Sequence, residues 1–80
     1  MKIALVILED RHFDTVVEAF ANADQAIARA REIGKEVDRF QSLVEDLDKM
    51  GGFMGTPKNW LYHASYGEGG RIRVEERVLR

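Results

Sequence analysis

The chain has 80 residues, 45% of them hydrophobic and 32% charged, with 7 glycines, 1 proline and no cysteine. A chain of this length buries roughly 60–65% of its extended surface, which makes one core in one domain, and the composition excludes collagen-like and disordered chains. The absence of cysteine removes disulfides, thiol nucleophiles and Cys-ligated zinc, and a formal charge of −2 argues against a protein held to phosphates by its overall charge.

Residues 3–10, Ile-Ala-Leu-Val-Ile-Leu-Glu-Asp, are rich in β-branched side chains and apolar on both faces as far as Leu8. That pattern predicts a strand in the middle of a sheet rather than at a wet edge. The apolar run is far short of the ~20 residues that span a bilayer, and the charged residues after it have no leader character. A cytoplasmic protein with no membrane partner is the expectation. Arg11-His12-Phe13-Asp14 then interrupts, and residues 15–20 resume a β pattern too soon for a crossover, which predicts a hairpin over residues 2–21.

Asn22-Ala23-Asp24-Gln25 reads as a capping box, with Asn22 accepting from the Gln25 amide and Asp24 favoured by the positive end of the helix. Apolar residues recur at Ala26, Ala30, Ile33, Val37, Phe40, Val44 and Leu47 in steps of four and three, a single helical stripe. Carried to its end the stripe would make a rod of about 40 Å, against ~27 Å for an eight-residue strand. Ser42-Leu43-Val44-Glu45 offers a second capping box, so the expectation is a helix over 23–41, a break near Ser42, and a short helix over 43–50 stopped by Gly51-Gly52. The alternative is one continuous helix whose far end packs, with heptad-like spacing, against a second copy.

Residues 51–59 form a glycine-rich loop containing Pro57, and residues 60–80 read as a second hairpin with a glycine turn. Two registers are open. A two-residue turn at Gly69-Gly70 pairs Tyr66 with Arg73 and Tyr62 with Arg77. A three-residue turn with Gly70 left-handed gathers Trp60, Tyr62 and Tyr66 with Ile72, Val74 and Val78, and leaves Arg71, Arg73 and Arg77 opposite with Leu61, His63 and Ser65. The second is preferred because it collects the apolar residues of both strands on one face. The expected fold class is α+β, a small four-stranded antiparallel sheet of two hairpins packed on one main helix, in the order β-β-α-(short α)-β-β.

Several groupings bear on chemistry. Glu9, Asp10, His12 and Asp14 bring three carboxylates and an imidazole together, and persistent alternation would aim Asp10, His12 and Asp14 to one side, as a divalent metal or acid–base site needs. Charged residues at a hairpin tip also serve simply to face water, so the tip, Arg11 included, is expected to be polar and metal-free, and a metal-assisted enzyme ranks third. His63, Ser65 and Glu75 have the residue types of a nucleophilic triad, but nothing around Ser65 resembles a nucleophile elbow. No catalytic residue and no cofactor is expected.

From Pro57 onward five basic residues, Lys58, Arg71, Arg73, Arg77 and Arg80, face three acidic ones beside Trp60, Tyr62 and Tyr66. Basic strands with exposed aromatics bind single-stranded nucleic acid, yet Glu75 and Glu76 lie among the arginines, so nucleic acid ranks second as a partner. Protein ranks first. The opening strand is apolar at Ala4, Val6 and Leu8 and again at Ile3, Leu5 and Ile7, and one helix covers only one face, so the other is left for a second copy, a target protein or the short 43–50 helix, of which the first two are preferred to self-coverage. The candidate partner-binding residues are Trp60, Tyr62, His63, Tyr66, Arg71, Arg73 and Arg77, and a free sheet edge can also accept a strand.

The ββα opening with its run Asn-Ala-Asp-Gln-Ala-Ile-Ala-Arg-Ala-Arg resembles the start of small HicB-like antitoxins over about the first forty residues, without the Gly-Cys-containing segment that precedes the helix in that family. Leu-Glu-Asp-Arg-His at the end of the first strand, the Ala-Arg-rich helix, Trp-Leu-Tyr and the terminal Arg-Val-Glu-Glu are together similar, over most of the chain, to small uncharacterised ββαββ proteins of actinobacteria and their phages. That resemblance implies no known activity, although small phage proteins of this size often act as stoichiometric inhibitors of host machinery, such as anti-CRISPR proteins. The sequence thus leads to a non-enzymatic, homodimeric protein-interaction module.

Overall fold

The computed structural model describes residues 1–38, 42–45, 59–67 and 69–78. It is an α+β fold with one helix on an antiparallel sheet of five strands, β1 (Lys2–Asp10), β2 (Phe13–Phe20), β3 (Val44–Glu45), β4 (Trp60–Tyr66) and β5 (Gly70–Val78), the helix being α1 (Ala23–Val37). The sheet order is β2-β1-β5-β4-β3, so the two long hairpins lie side by side and are joined through β1 and β5. The two-sided apolar run of β1 thus lies inside the sheet, as its composition predicts.

Even-numbered residues of β1 and β5, and Tyr62, Ala64 and Tyr66 of β4, face the helix. Ala4, Val6 and Leu8 meet Tyr62, Ala64, Tyr66, Ile72 and Val74, and Ala26, Ala30 and Ile33 of α1 close over them. Burying each of Val6, Ile72 and Val74 contributes about 1.5–3 kcal/mol. The small residues Ala26 and Ala30 on the helix and Ala4 and Ala64 on the sheet let the layers approach closely.

The helix starts where the sequence places it. Asn22 Oδ1 accepts from the Asp24 amide at 2.7 Å and from the Gln25 amide at 3.3 Å, satisfying two of the orphan donors of the first turn, a cap that contributes about 1 kcal/mol. Its far end differs from the expected helix over 23–41: α1 stops at Val37. The Asp38 carboxylate turns the chain by accepting from the Leu43 amide at 2.6 Å and the Ser42 hydroxyl at 3.1 Å.

The expected short helix over 43–50 is also corrected, because Val44 and Glu45 pair with Ser65 and Ala64 as a fifth strand. Both residues of the second capping box have other partners. Ser42 Oγ accepts from the Gly67 amide at 2.8 Å, and Glu45 pairs with Arg31 at 3.1 Å. Residues 46–50 lie outside the described residues, as does the expected loop 51–59 apart from Asn59. The continuous-helix alternative fails for the same reason.

The second hairpin puts its tyrosines on the face preferred from sequence, with Tyr62 opposite Val74, Ala64 opposite Ile72 and Tyr66 opposite Gly70, but Gly70 is a paired residue of β5 and not part of the turn, so the register itself differs. The positive φ values fall on Gly67 (52°) and Gly69 (87°), however, and not on Gly70. A register shift between Trp60 and Tyr62 moves Trp60 to the face away from the helix, where it lies opposite Glu75 instead of joining the tyrosines.

Candidate functional site

The side chains of the sheet that point away from α1 form an outer face. Cross-strand pairing sets Leu5, Ile7 and Glu9 of β1 beside Ala19 and Val17 of β2 on one side and beside Glu75, Arg73 and Arg71 of β5 on the other. Beyond β5, His63 lies opposite Arg73 and Ser65 opposite Arg71. One half of the face is therefore apolar and the other half charged and aromatic.

The charged half is an ordered network built by alternation along β5, which puts Arg73, Glu75 and Arg77 on one side of the strand. Arg73 Nε donates to Glu75 Oε1 at 2.6 Å, Arg77 Nη2 donates to Oε2 at 2.8 Å, and a second Arg73 nitrogen pairs with Glu9. Glu75 is only 5% exposed. Burial pushes its carboxyl up, but the hydrogen bonds and charges of Arg77 and Arg73 outweigh that and hold it below the usual carboxylate range. Burial works against the Arg73 charge as well, and the two carboxylates reverse the effect.

Trp60 completes this half. Its ring stacks on His63 with centroids 5.5 Å apart and planes 3° from parallel, and the Arg73 guanidinium lies 5.5 Å from the ring centroid. Arg71 and Arg77 stand exposed at the rim, and Arg71 makes no ion pair among the described residues.

The structure thus brings together Trp60, His63, Arg71, Arg73 and Arg77 of the candidates, and separates Tyr62 and Tyr66 from them. Both tyrosines face the helix, 2% and 7% exposed. The Arg31 guanidinium lies 5.5 Å from the Tyr62 ring centroid, and the buried Tyr62 hydroxyl faces Arg31 and Glu45 without a hydrogen bond of good geometry. Burial first, and then the Glu45 carboxylate, push its ionisation well above the usual tyrosine range.

The hairpin tip does not assemble a metal site. β1 ends at Asp10, Arg11 and His12 form the turn, and a register shift between Leu8 and Asp10 breaks the alternation that would align Asp10, His12 and Asp14. Among the described residues no three His, Asp or Glu side chains gather as metal ligands. Asp10 has a structural task instead, accepting from the Tyr66 hydroxyl at 2.5 Å and from the His12 amide at 2.8 Å.

These bonds hold the Asp10 carboxyl below its usual range, the Tyr66 hydroxyl contributing most. A depressed carboxylate contributes stability that is present above its unfolded pKa and lost as the pH falls through the folded one. Tyr66→Phe is accordingly expected to flatten the acid side of the stability profile below about pH 4, measured by urea unfolding from pH 2 to 7. An unchanged acid limb would contradict this assignment.

Two features escaped the sequence reading. Glu75 is the hub of the network, a role readable from Arg-x-Glu-x-Arg on one strand face. Val17 is 55% exposed at the outer edge of the apolar half, and only the sheet order reveals that, among the described residues, β2 has a neighbour on one side alone.

No protein-family model, curated protein or solved structure matches this chain. Among the described residues no helix is long and apolar enough to cross a membrane.

Proposed function

We propose that this chain is a non-enzymatic protein-interaction module that meets its partner with the outer face of the sheet. The observation that carries this reading is the composition of that face, which sets exposed Val17 and half-buried Ile3 and Leu5 beside Trp60 and a row of arginines. Protein interfaces have this anatomy, an apolar centre with a polar rim in which Trp and Arg are enriched. Because Glu75 already fixes Arg73 and Arg77, little side-chain entropy is lost on docking.

The same geometry favours protein over nucleic acid. Glu75 and Glu9 offset the charge of Arg73 and Arg77, and Tyr62 and Tyr66 face the helix, so neither a strong phosphate track nor a tyrosine stacking platform stands on the surface. One form of such a module, the form that small phage proteins of this size often take, is a stoichiometric inhibitor of host machinery, which acts by occupancy.

Arg71→Glu and Trp60→Ala should each reduce capture of the partner from a lysate of the source organism at least about tenfold. Lys35→Ala and Glu36→Ala, on the exposed side of α1, should leave capture unchanged. Loss of capture through the helix variants, with retention by the outer-face variants, would overturn the reading.

A further inference from the structure

Among the described residues the two edges of the sheet are unequal. One is β3, two residues long, a length that by itself discourages pairing. The other is β2, eight residues long, with no proline, lysine or arginine along it. Val16 and Val17 are both exposed although they point to opposite faces of the sheet, so the middle of this edge is uncovered from both sides, beyond the register shift that lies between Phe13 and Val16.

We propose that two copies of this chain join through their β2 edges, antiparallel and centred on Val17, into one continuous sheet. Two antiparallel edge strands related by a two-fold axis must pair about a single residue, with both helices on the same face. Charge selects among the registers that use the middle of the strand. Centring on Val16 opposes Asp14 to Glu18 of the other copy twice, and centring on Glu18 opposes the two Glu18 side chains. Centring on Val17 opposes no like charges and sets Val17 against Val17 and Val16 against Glu18.

The chosen register also continues the apolar half of the outer face. Ile7 lies directly opposite Val17 within one copy, so the seam carries an unbroken row of Ile7, Val17, Val17 and Ile7 across two molecules. On the helix side Arg29 holds Glu18 at 2.9 Å, which offsets the acid nearest the seam. A single strand-to-strand contact buries less than the roughly 1,200–2,000 Å² of a standard interface, so the dimer dissociates in the micromolar range. This inference deepens the interaction-module reading by naming one partner and its edge, and the two fail separately, because Arg71 and Trp60 lie away from β2.

Light scattering on the full chain from about 200 to 2 μM, a span bracketing a micromolar equilibrium, tests it. The expected result is twice the chain mass at the top of the series falling to the single mass at the bottom. Val17→Lys should be monomeric throughout with an unchanged circular dichroism spectrum, and Val44→Lys, at the opposite edge, should behave as the parent. Because the chain has no cysteine, Val17→Cys gives a second readout that does not depend on a charged variant. It should form a disulfide-linked dimer under copper phenanthroline faster than Val16→Cys. A parent that is monomeric at every concentration, self-association unaffected by Val17→Lys, or crosslinking through Val16→Cys at an equal or greater rate would overturn the proposal.

Discussion

Gly70→Ala is expected to lower the stability of this domain by about 3 kcal/mol or more. A Cβ at position 70 would stand 2.5, 2.6 and 2.7 Å from three atoms of the Tyr66 ring, its cross-strand neighbour. Tyr66 cannot swing aside, because its ring is buried in the core and its hydroxyl is tied to Asp10 at 2.5 Å. Either the turn moves, disturbing the register of β4 on β5, or the ring moves and the bond to Asp10 is lost. For a domain of this length total stability is of order 4–12 kcal/mol, so the loss is a large fraction of it. Urea unfolding should show a lower midpoint at unchanged slope. Gly70→Ala combined with Tyr66→Ala should cost less than the sum of the two single changes, since the second removes the obstacle met by the first.

Arg73→Met should cost about 2–4 kcal/mol, because breaking a buried ion pair from one side leaves the other charge without its compensation. Glu75 would keep Arg77 alone, a side chain more than half exposed, while remaining 5% exposed itself, and the Arg73 contacts to Glu9 and to the Trp60 ring would go as well. The pH dependence gives a second readout. In the parent, Glu75 lies below its usual range, so its contribution is present above the unfolded carboxylate pKa and lost as the pH falls through the folded one. Without Arg73, burial is less opposed and the folded pKa rises, so the variant should lose less stability than the parent between pH 6 and about pH 3. Replacing Arg73 and Glu75 together by Met and Leu should recover much of the loss, because no unpaired carboxylate then remains.

The elements legible in the sequence are those whose signal is local. The two-sided apolar run of residues 3–8 places β1 inside the sheet, Asn22 followed by Asp24 and Gln25 marks the start of the helix, and the apolar alternation of the last hairpin selects the face its tyrosines take. The misread elements depend on partners distant in sequence. Ser42 and Glu45 have the spacing of a capping box, yet the Gly67 amide and Arg31 engage them, and that competition turns a predicted helix into the two residues of β3. Trp60 changes face through a register shift that no periodicity announces, and it takes with it the expectation of an aromatic face made of Trp60, Tyr62 and Tyr66. At the first hairpin tip, the bonds from Tyr66 and the His12 amide explain Asp10 as a structural carboxylate, where spacing alone suggested a ligand set.

The outer face is legible in one half only. Its apolar residues on β1 announce a second surface in need of cover, whereas the charged half becomes a network only once Glu9 on β1 reaches Arg73 on β5, a pairing between the two ends of the chain.

The most direct test of the outer face as the recognition surface is a photo-crosslinking scan, in which a benzophenone side chain replaces Ala19, Arg77, Ala28 and Lys35 one at a time and the protein is irradiated in a lysate of the source organism. All four positions are exposed, two on the outer face and two on the helix. One discrete crosslinked partner is expected from the outer-face positions and none from the helix positions. Discrete crosslinks from Ala28 and Lys35 alone would place the recognition surface on α1 and contradict that expectation.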